Sequence, residues 1–279
     1  TEFVDTGEID AGMYYVISAF DHNGNESGFS NEVYVEAYAF TQDITIEALK
    51  FNTLSLNVVP EDLAISDVFG EAGIMLAKND IGDFYVPDFG VDNIGNMDLS
   101  EGYTVFINGM TDQSLFVTGP PVDYTQSLLI EAFKMNLLPY LPQTEMASAD
   151  AFGIHDDNIL LVKNDTGDFY APSFGVYSLD MLYPGESYSI FLSGASDIDF
   201  TYPEPGFSRT DEGMRAYYNS CVAEHYTPVK TGLSYPIIIT DLNGYISIGD
   251  ELAAYANDEL VGAVKIMDMT KPAVITAWQ

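Results

Sequence analysis

Lys78-Asn-Asp-Ile-Gly-Asp-Phe-Tyr-Val-Pro-Asp-Phe-Gly-Val91 returns 85 residues later as Lys163-Asn-Asp-Thr-Gly-Asp-Phe-Tyr-Ala-Pro-Ser-Phe-Gly-Val176, identical at 11 of 14 positions. The same offset carries Tyr103 onto Tyr188, Gly109 onto Gly194 and Asp112 onto Asp197, so the register holds without a gap well past the quoted peptide. Each copy sets a strand-like run before an Asn-Asp-x-Gly turn and aromatic residues after it, the pattern of a β-hairpin. Self-similarity at a fixed period marks an array of modules. An active site gathers different groups once, whereas a tandem repeat makes the same surface again. The repeat therefore points to a scaffold or binding protein before any chemistry is considered.

Working outward, the composition supports strands and cores. Nearly half of the 279 residues are apolar, and the chain carries 19 Tyr and 17 Phe, a bias towards β structure. With 43 acidic residues against 9 basic ones, the formal net charge is −34. Such a surface repels nucleic acid, whose phosphates require Lys and Arg. It attracts cations and favours solubility while straining the compact state. Cys221 is the one cysteine, so an internal disulfide framework is excluded. A small buried residue is the expected role for it, since a nucleophile would need a base and His225 is the one His within ten residues. No run of 18 apolar residues occurs, and membrane insertion is not expected. The first residue is Thr1, from which a processed or excised piece is expected.

The pattern divides the chain into five parts: 1–42, 43–122, 123–205, a connector 206–230 with helical character near 211–222, and 231–279. In the first, Tyr15, Ile17 and Ala19 alternate with Tyr14, Val16 and Ser18, then turn formers 21–27 precede Glu32-Val-Tyr-Val, a hairpin. The second contains strands around 44–49 and 51–59, a short helix over Pro60–Phe69, a hairpin over 74–86, and strands at 101–107 and 114–117. Gly119-Pro-Pro121 is expected to be a rigid linker. The third part repeats the order with a diverged front, Phe133-Lys-Met-Asn standing for Phe51-Asn-Thr-Leu. In the last part, Asn243-Gly244 between β-rich runs predicts a hairpin, and the chain stops at Trp278-Gln279 within a strand, as if cut.

Residues Phe3-x-Asp5, Ile9-x-Ala-Gly12-x-x-Tyr15, Ser18-Ala-Phe-Asp21-x-x-Gly24-Asn-Glu-Ser27 and Ser30-Asn31 resemble the last three strands of a fibronectin type III domain. In that resemblance Tyr15 takes the tyrosine-corner position. A sandwich of this type needs about 100 residues, and the resemblance begins mid-domain. Either upstream sequence or strand addition by another subunit is expected to complete it. The later parts resemble modules that follow fibronectin-like domains in large secreted or surface proteins of Bacteroidota-like bacteria. The repeat matches through Phe51-Asn-x-x-Ser-Leu-Asn-Val-x-Pro60, the Lys78–Gly90 hairpin and Glu101-Gly-Tyr103. The C-terminal part matches through His225-Tyr-Thr-Pro228, Gly249-Asp-Glu-Leu252 and Val261-Gly-Ala263. Members more often carry Trp where Phe51 sits. This resemblance implies an extracellular or cell-surface location without implying catalysis.

Three constellations qualify as sites. Asp21-x-Asn23-x-Asn25 with Glu32 twelfth in the count places oxygen ligands as a calcium loop would. Glu26 stands where glycine should, and strands flank the loop, so a solvated turn is the preferred reading. Asp80 with Asp83, and Asp165 with Asp168, are repeated carboxylate pairs. Catalysis would need burial to push their pKa values apart, and exposed turn geometry is the stronger expectation, with a weak cation site second. Phe84-Tyr85-x-Pro87 with Phe89, and its copy around Tyr170, suit either a core or a sugar-stacking platform with Tyr85 and Tyr170 as ligand residues. His22, His155 and His225 share no metal-ligand spacing.

An all-β chain is predicted: a partial fibronectin-like sandwich, two homologous sandwich-like modules with a short helix each, and a truncated β-module. The expected role is non-enzymatic: a segment of an extracellular fibre, filament or adhesin. Its modules would stand in series and join head to tail with copies of itself or with other surface proteins. A carbohydrate-binding accessory region of a secreted hydrolase is the alternative.

Overall fold

The computed structural model describes residues 13–22, 24–35, 39–70, 72–204, 217–218, 220–242, 244 and 246–279. The described chain is mostly β, in several antiparallel sheets. Strands β1 (Met13–Tyr15) and β2 (Val33–Val35) pair with Tyr15 opposite Val33. The ladder continues loosely through reciprocal contacts of Ile17 with Ser30 and of Ala19 with Ser27. The hairpin expected at 21–27 is present, and Ile17, Phe20 and Phe29 on it are exposed.

Module 1 comprises β3 (Phe40–Ile46), β4 (Asn52–Leu54), α1 (Ile65–Phe69), β5 (Ile74–Lys78), β6 (Phe84–Val86), β7 (Val91–Asp92), β8 (Tyr103–Ile107) and β9 (Gln113–Gly119). Module 2 repeats the set. It has β10 (Leu128–Ile130), β11 (Asn136–Pro139), β12 (Met146–Ala147), α2 (Ser148–Phe152), β13 (Ile159–Lys163), β14 (Phe169–Ala171), β15 (Val176–Tyr177), β16 (Met181–Leu182), β17 (Ser187–Leu192) and β18 (Ile198–Phe200). The five-stranded sheets have matching orders, β4-β8-β5-β6-β7 and β11-β17-β13-β14-β15, and each is faced by a two-stranded ribbon, β3-β9 or β10-β18.

Alternation builds the cores. In β3 and β9 every second residue is buried, so Ile44, Ile46, Leu115 and Val117 meet Leu54, Ala77, Tyr103 and Val105 of the facing sheet. In module 2, Tyr140, Tyr188, Phe200 and Tyr202 form an edge-to-face aromatic cluster, with Phe152 tilted against Phe200, around Ile130 and Ile190. The Tyr hydroxyls find partners: Asp98 N–H donates to Tyr103 Oη at 2.6 Å and Tyr183 N–H to Tyr188 Oη at 2.8 Å.

The repeated peptide is a three-strand meander. Asn79 Oδ1 accepts from the N–H groups of Gly82 and Asp83, and Asn164 Oδ1 from that of Asp168. Gly82 and Gly167 adopt φ of 98° and 93°, where a side chain would be strained. The Pro-x-Phe segment that follows is one turn of 3-10 helix closed by left-handed Gly90 or Gly175.

Three expectations about elements are corrected. The helix expected over 60–69 is confined to Ile65–Phe69, because residues 63–65 pair instead with 95–97 through Ile65 N–H to Gly95 O and Met97 N–H to Leu63 O. Gly119-Pro-Pro121 is no spacer. Val59 N–H donates to Pro120 O, Val58 bridges Pro121 and Val122 N–H reaches Asn57 O, so the segment is stitched to module 1. The C-terminal unit contains β19 (Ser234–Ile239), β20 (Glu251–Ala256), β21 (Glu259–Lys265) and β22 (Ala273–Trp278). Its β19 pairs with β22, and β20 with β21. β19 and β20 therefore do not pair as the hairpin expected about Asn243-Gly244, of which Asn243 lies outside the described residues. The tight hairpin is made by Asn257 and Asp258, both at positive φ.

Tyr217, Tyr218 and Ser220 are helical; residues 206–216 and 219 of the expected connector, with most of its helical stretch, lie outside the described residues. The C-terminal unit docks on module 2: Phe169, Ala171 and Val176 are covered by Tyr218, Ile238 and Val274. It also reaches module 1, where Phe51 N–H donates to Thr231 O at 2.8 Å.

Candidate functional site

The two modules meet across an approximate twofold axis. Gly102 and Ser187 occupy equivalent positions in the repeat, and they face each other: a Cβ on Gly102 would lie 2.6 Å from Ser187 Cβ. Only residues near a twofold axis contact their own counterparts. Gly102 N–H donates to Leu137 O, Ser55 N–H to Gly185 O, and Ser55 Oγ to Glu186 O.

Around that axis the same polar constellation appears twice. Lys50 Nζ lies 2.9 Å from Glu47 and 3.7 Å from Asp165 Oδ1, while Asp165 Oδ2 accepts from Thr53 N–H at 3.0 Å. In the other copy Lys134 contacts Glu131 and, at 3.5 Å, Asp80, whose Oδ2 accepts from Leu137 N–H at 3.2 Å. Each module thus lends its turn aspartate to the front of the other. The turns that display Lys50 and Lys134 are themselves alike. Asn52 Oδ1 accepts from Glu47 N–H and Asn136 Oδ1 from Glu131 N–H, Leu49 and Phe133 both sit at positive φ, and Asp112 and Asp197 cap Ala48 and Ala132.

Asp80 and Asp165 are therefore not the exposed turn carboxylates expected: their side chains are 14% and 15% exposed. The turn is held instead by Asn79 and Asn164. The front alignment is corrected too. Glu47-Ala-x-Lys50-x-Asn52 superposes on Glu131-Ala-x-Lys134-x-Asn136, so Leu49, not Phe51, is the counterpart of Phe133. That spacing was legible in the sequence at an offset one residue shorter than the hairpin's.

Burial sets the electrostatics. It raises the carboxyl of Asp165 above the ordinary range, with Lys50 and Thr53 N–H pulling the other way. Burial likewise raises Glu186, against the hydrogen bond from Tyr188 at 2.5 Å, and raises Glu101, with Asp80 and Asp98 adding repulsion. Burial opposes the charge on Lys134, but Glu131 and Asp80 hold its pKa up. Beside Lys50 the interface opens into a cleft of about 220 Å³ lined by Asp43, Glu47, Thr53, Asp165, Thr166 and Glu186. Leu137 and Ile81 stand at the counterparts of Thr53 and Thr166.

The other expected sites fall as follows. Asp21 accepts from Asn25 N–H and Asn25 Nδ2, each at 2.9 Å, so its carboxylate is engaged in the turn. Glu32 is exposed and Asn23 lies outside the described residues. Among the described residues no group of three or more His, Cys, Asp or Glu is placed to hold a metal ion. Tyr170 is 2% exposed, with its hydroxyl on Asp156, and has no ring face for a sugar. Tyr85 is half-buried against Phe69. The exposed aromatics of these peptides are Phe84, Phe89 and Phe174. Cys221 is half-buried, and burial pushes its thiol up. His225 pairs with Glu251 at 2.9 Å, which joins two of the C-terminal segments that carry the resemblance.

Fold and interface together define a class: a two-repeat antiparallel β protein whose repeats close on one another, with a C-terminal β-unit docked on the second. Comparison with protein-family models, curated proteins and solved structures gives no match.

Proposed function

We propose that this chain is a non-enzymatic segment of an extracellular or cell-surface structural protein, a fibre, filament or adhesin built from sandwich-like β-modules. In this reading residues 1–42 belong to a fibronectin type III-like domain, and 43–122, 123–205 and 231–279 are successive modules. One observation carries it: the most strictly repeated residues join modules to one another. Asp80 and Asp165 lock the repeats together, and Lys163, Gly167 and Phe169 seat the C-terminal unit. Exposed Ile17, Phe20 and Phe29 on the β1–β2 hairpin support a partner at that end, either further sandwich strands or a neighbouring copy joined head to tail. Divalent cations such as calcium would screen the −34 charge. Electron microscopy of the native material tests the reading: regular filaments or surface fibres are expected, and monodisperse isolated particles would refute it.

The cleft beside Lys50 favours a second reading, a glycan-binding accessory region, since hydroxyls and carboxylates line it. Binding on a glycan array that Glu47→Ala and Thr166→Ala abolish would establish it; no binding by the folded chain would remove it.

A further inference from the structure

The repeat supplies two copies of one docking face, and the chain fills one. In module 2 four of the identical residues, Lys163, Gly167, Phe169 and Val176, meet the C-terminal unit. Lys163 Nζ donates to Ser234 O and stands 5.0 Å from the Tyr235 ring. Thr276 Oγ1 donates to Gly167 O at 2.9 Å, and a Cβ on Gly167 would lie 2.7 Å from Thr276 Cγ2 and 2.8 Å from the Trp278 ring. Phe169 and Val176, 1% and 0% exposed, are roofed by Ile238, Val274 and Tyr218.

Among the described residues, no β-unit is seated on the same positions of module 1. Phe84 and Val91 are 39% and 36% exposed, and nothing lies within 4 Å of a Cβ placed on Gly82. The core of module 1 does not require these side chains, because Ala77 and Tyr85 face it from the opposite side of the sheet. Apolar residues that a module's own core does not use, yet which match a filled site next door, mark a face built to be covered.

We propose that the open face of β5–β7 is a docking site for a second β-unit of the kind formed by 231–279, carried by another polypeptide. A second copy of this chain is not the source, because its own unit is already seated on its own module 2. The rim adds a chemical requirement. Asp88 and Asp92 replace Ser173 and Tyr177, so this rim is acidic in module 1 where it is neutral in module 2, and the occupant of module 1 carries basic residues against it. This inference rests on the internal equivalence and is independent of the fibre reading.

The chain's own C-terminal unit serves as the probe. In the full chain, Gly167→Arg places a side chain where Thr276 and Trp278 lie and releases the unit. Amide exchange read by mass spectrometry should then speed up over 163–177. Over 78–92 it should slow roughly ten-fold as freed units settle on module 1. Adding Phe84→Asp should remove that protection, and adding Asp88→Ser with Asp92→Tyr should strengthen it. Should the arginine unfold the unit, Lys163→Met with Thr276→Ala releases it without added bulk. The proposal is overturned if 78–92 stays as open as in the unsubstituted chain while β20–β21 remains protected. It is equally overturned if the unsubstituted chain forms dimers that Phe84→Asp dissolves, since the occupant would then be an identical face.

Discussion

Replacing Asp165 by alanine should destabilise the chain by about 2–4 kcal/mol, far more than a turn carboxylate warrants. The magnitude follows from what is orphaned. Thr53 N–H loses its acceptor at 3.0 Å, and a buried unsatisfied donor costs about 1–3 kcal/mol. Lys50, 11% exposed, loses one of its two carboxylates and keeps Glu47, so the cost stays below the roughly 3–5 kcal/mol of fully breaking a buried pair. Asp165→Asn should behave differently. It keeps an acceptor for Thr53 N–H and removes a charge that burial already disfavours, so its cost should be below about 1.5 kcal/mol. Asp80→Ala should cost about 1–3 kcal/mol, because Lys134 is more exposed, at 30%, and the Leu137 bond is longer, at 3.2 Å. Asp88→Ala, on an exposed position of the same hairpin, is the control at about zero. Urea unfolding followed by far-UV circular dichroism and by the fluorescence of Trp278 measures all four. An Asp165→Ala chain within about 0.5 kcal/mol of the parent would refute the interlocked interface.

Raised carboxyls at Asp165, Glu186 and Glu101 mean that the folded chain holds these protons more tightly than the unfolded one. Their contribution to stability therefore rises as pH falls from neutral through the raised values towards 3.8 and 4.5, the ordinary values of Asp and Glu, and is lost as pH climbs back. The urea midpoint should be higher near pH 5 than near pH 7.5, and the opposite order would contradict it. Gly102→Ser should cost about 1–3 kcal/mol by crowding Ser187, and adding Ser187→Gly should restore most of it, because the pair straddles the axis; no rescue would displace the axis. His225 titrates above the ordinary 6.5 because of its hydrogen bond and charge contact with Glu251. That contact's stabilisation is present below 6.5 and fades as pH rises through the raised value. Glu251→Gln should return the NMR titration of His225 towards 6.5, and an unmoved titration would place the cause elsewhere.

The two similar five-stranded sheets were visible in the sequence because repetition and strand alternation are local signals. The turn roles of Asn79 and Gly82 were legible for the same reason, since each acts within four residues of itself. The role of Asp80 was not. Its partners, Lys134 and Leu137, lie in the other repeat, and an Asn-Asp-x-Gly-Asp turn looks the same whether its second residue faces water or a neighbouring module. Tyr170 failed as a sugar platform by a related ambiguity. Alternation says that one of two adjacent aromatics points inward, and only the α2 contact through Phe152 shows which. The helix did not begin at Pro60 as its first-turn signal suggested, because residues 63–65 are extended and pair with 95–97 instead. Asn257-Asp258 was passed over beside the stronger-looking Asn243-Gly244, although both of its residues adopt the positive φ a tight hairpin needs.

The pairing also changes what a pull on the chain should do. Modules in simple series would yield one at a time, each exposing its own core and leaving its neighbour intact. Here the front of module 1 depends on Asp165, the front of module 2 on Asp80, and Ser55 of one bonds the backbone of the other. Once module 1 opens, Asp165 loses Lys50 and Thr53 N–H and the Glu186 carbonyl loses Ser55 Oγ, while Leu137 N–H and Lys134 lose Asp80. The surviving module would keep its core but lose contacts worth several kcal/mol, a large share of a typical domain's ~5–15 kcal/mol. It should therefore follow almost at once. In single-molecule force spectroscopy the chain from 40 to 204 should lengthen in one step of roughly 550 Å. Two separated steps of roughly 270 Å would show the modules to be independent beads. Asp80→Ala combined with Asp165→Ala should convert the first pattern into the second, because it cuts the interlock and leaves each hydrophobic core whole.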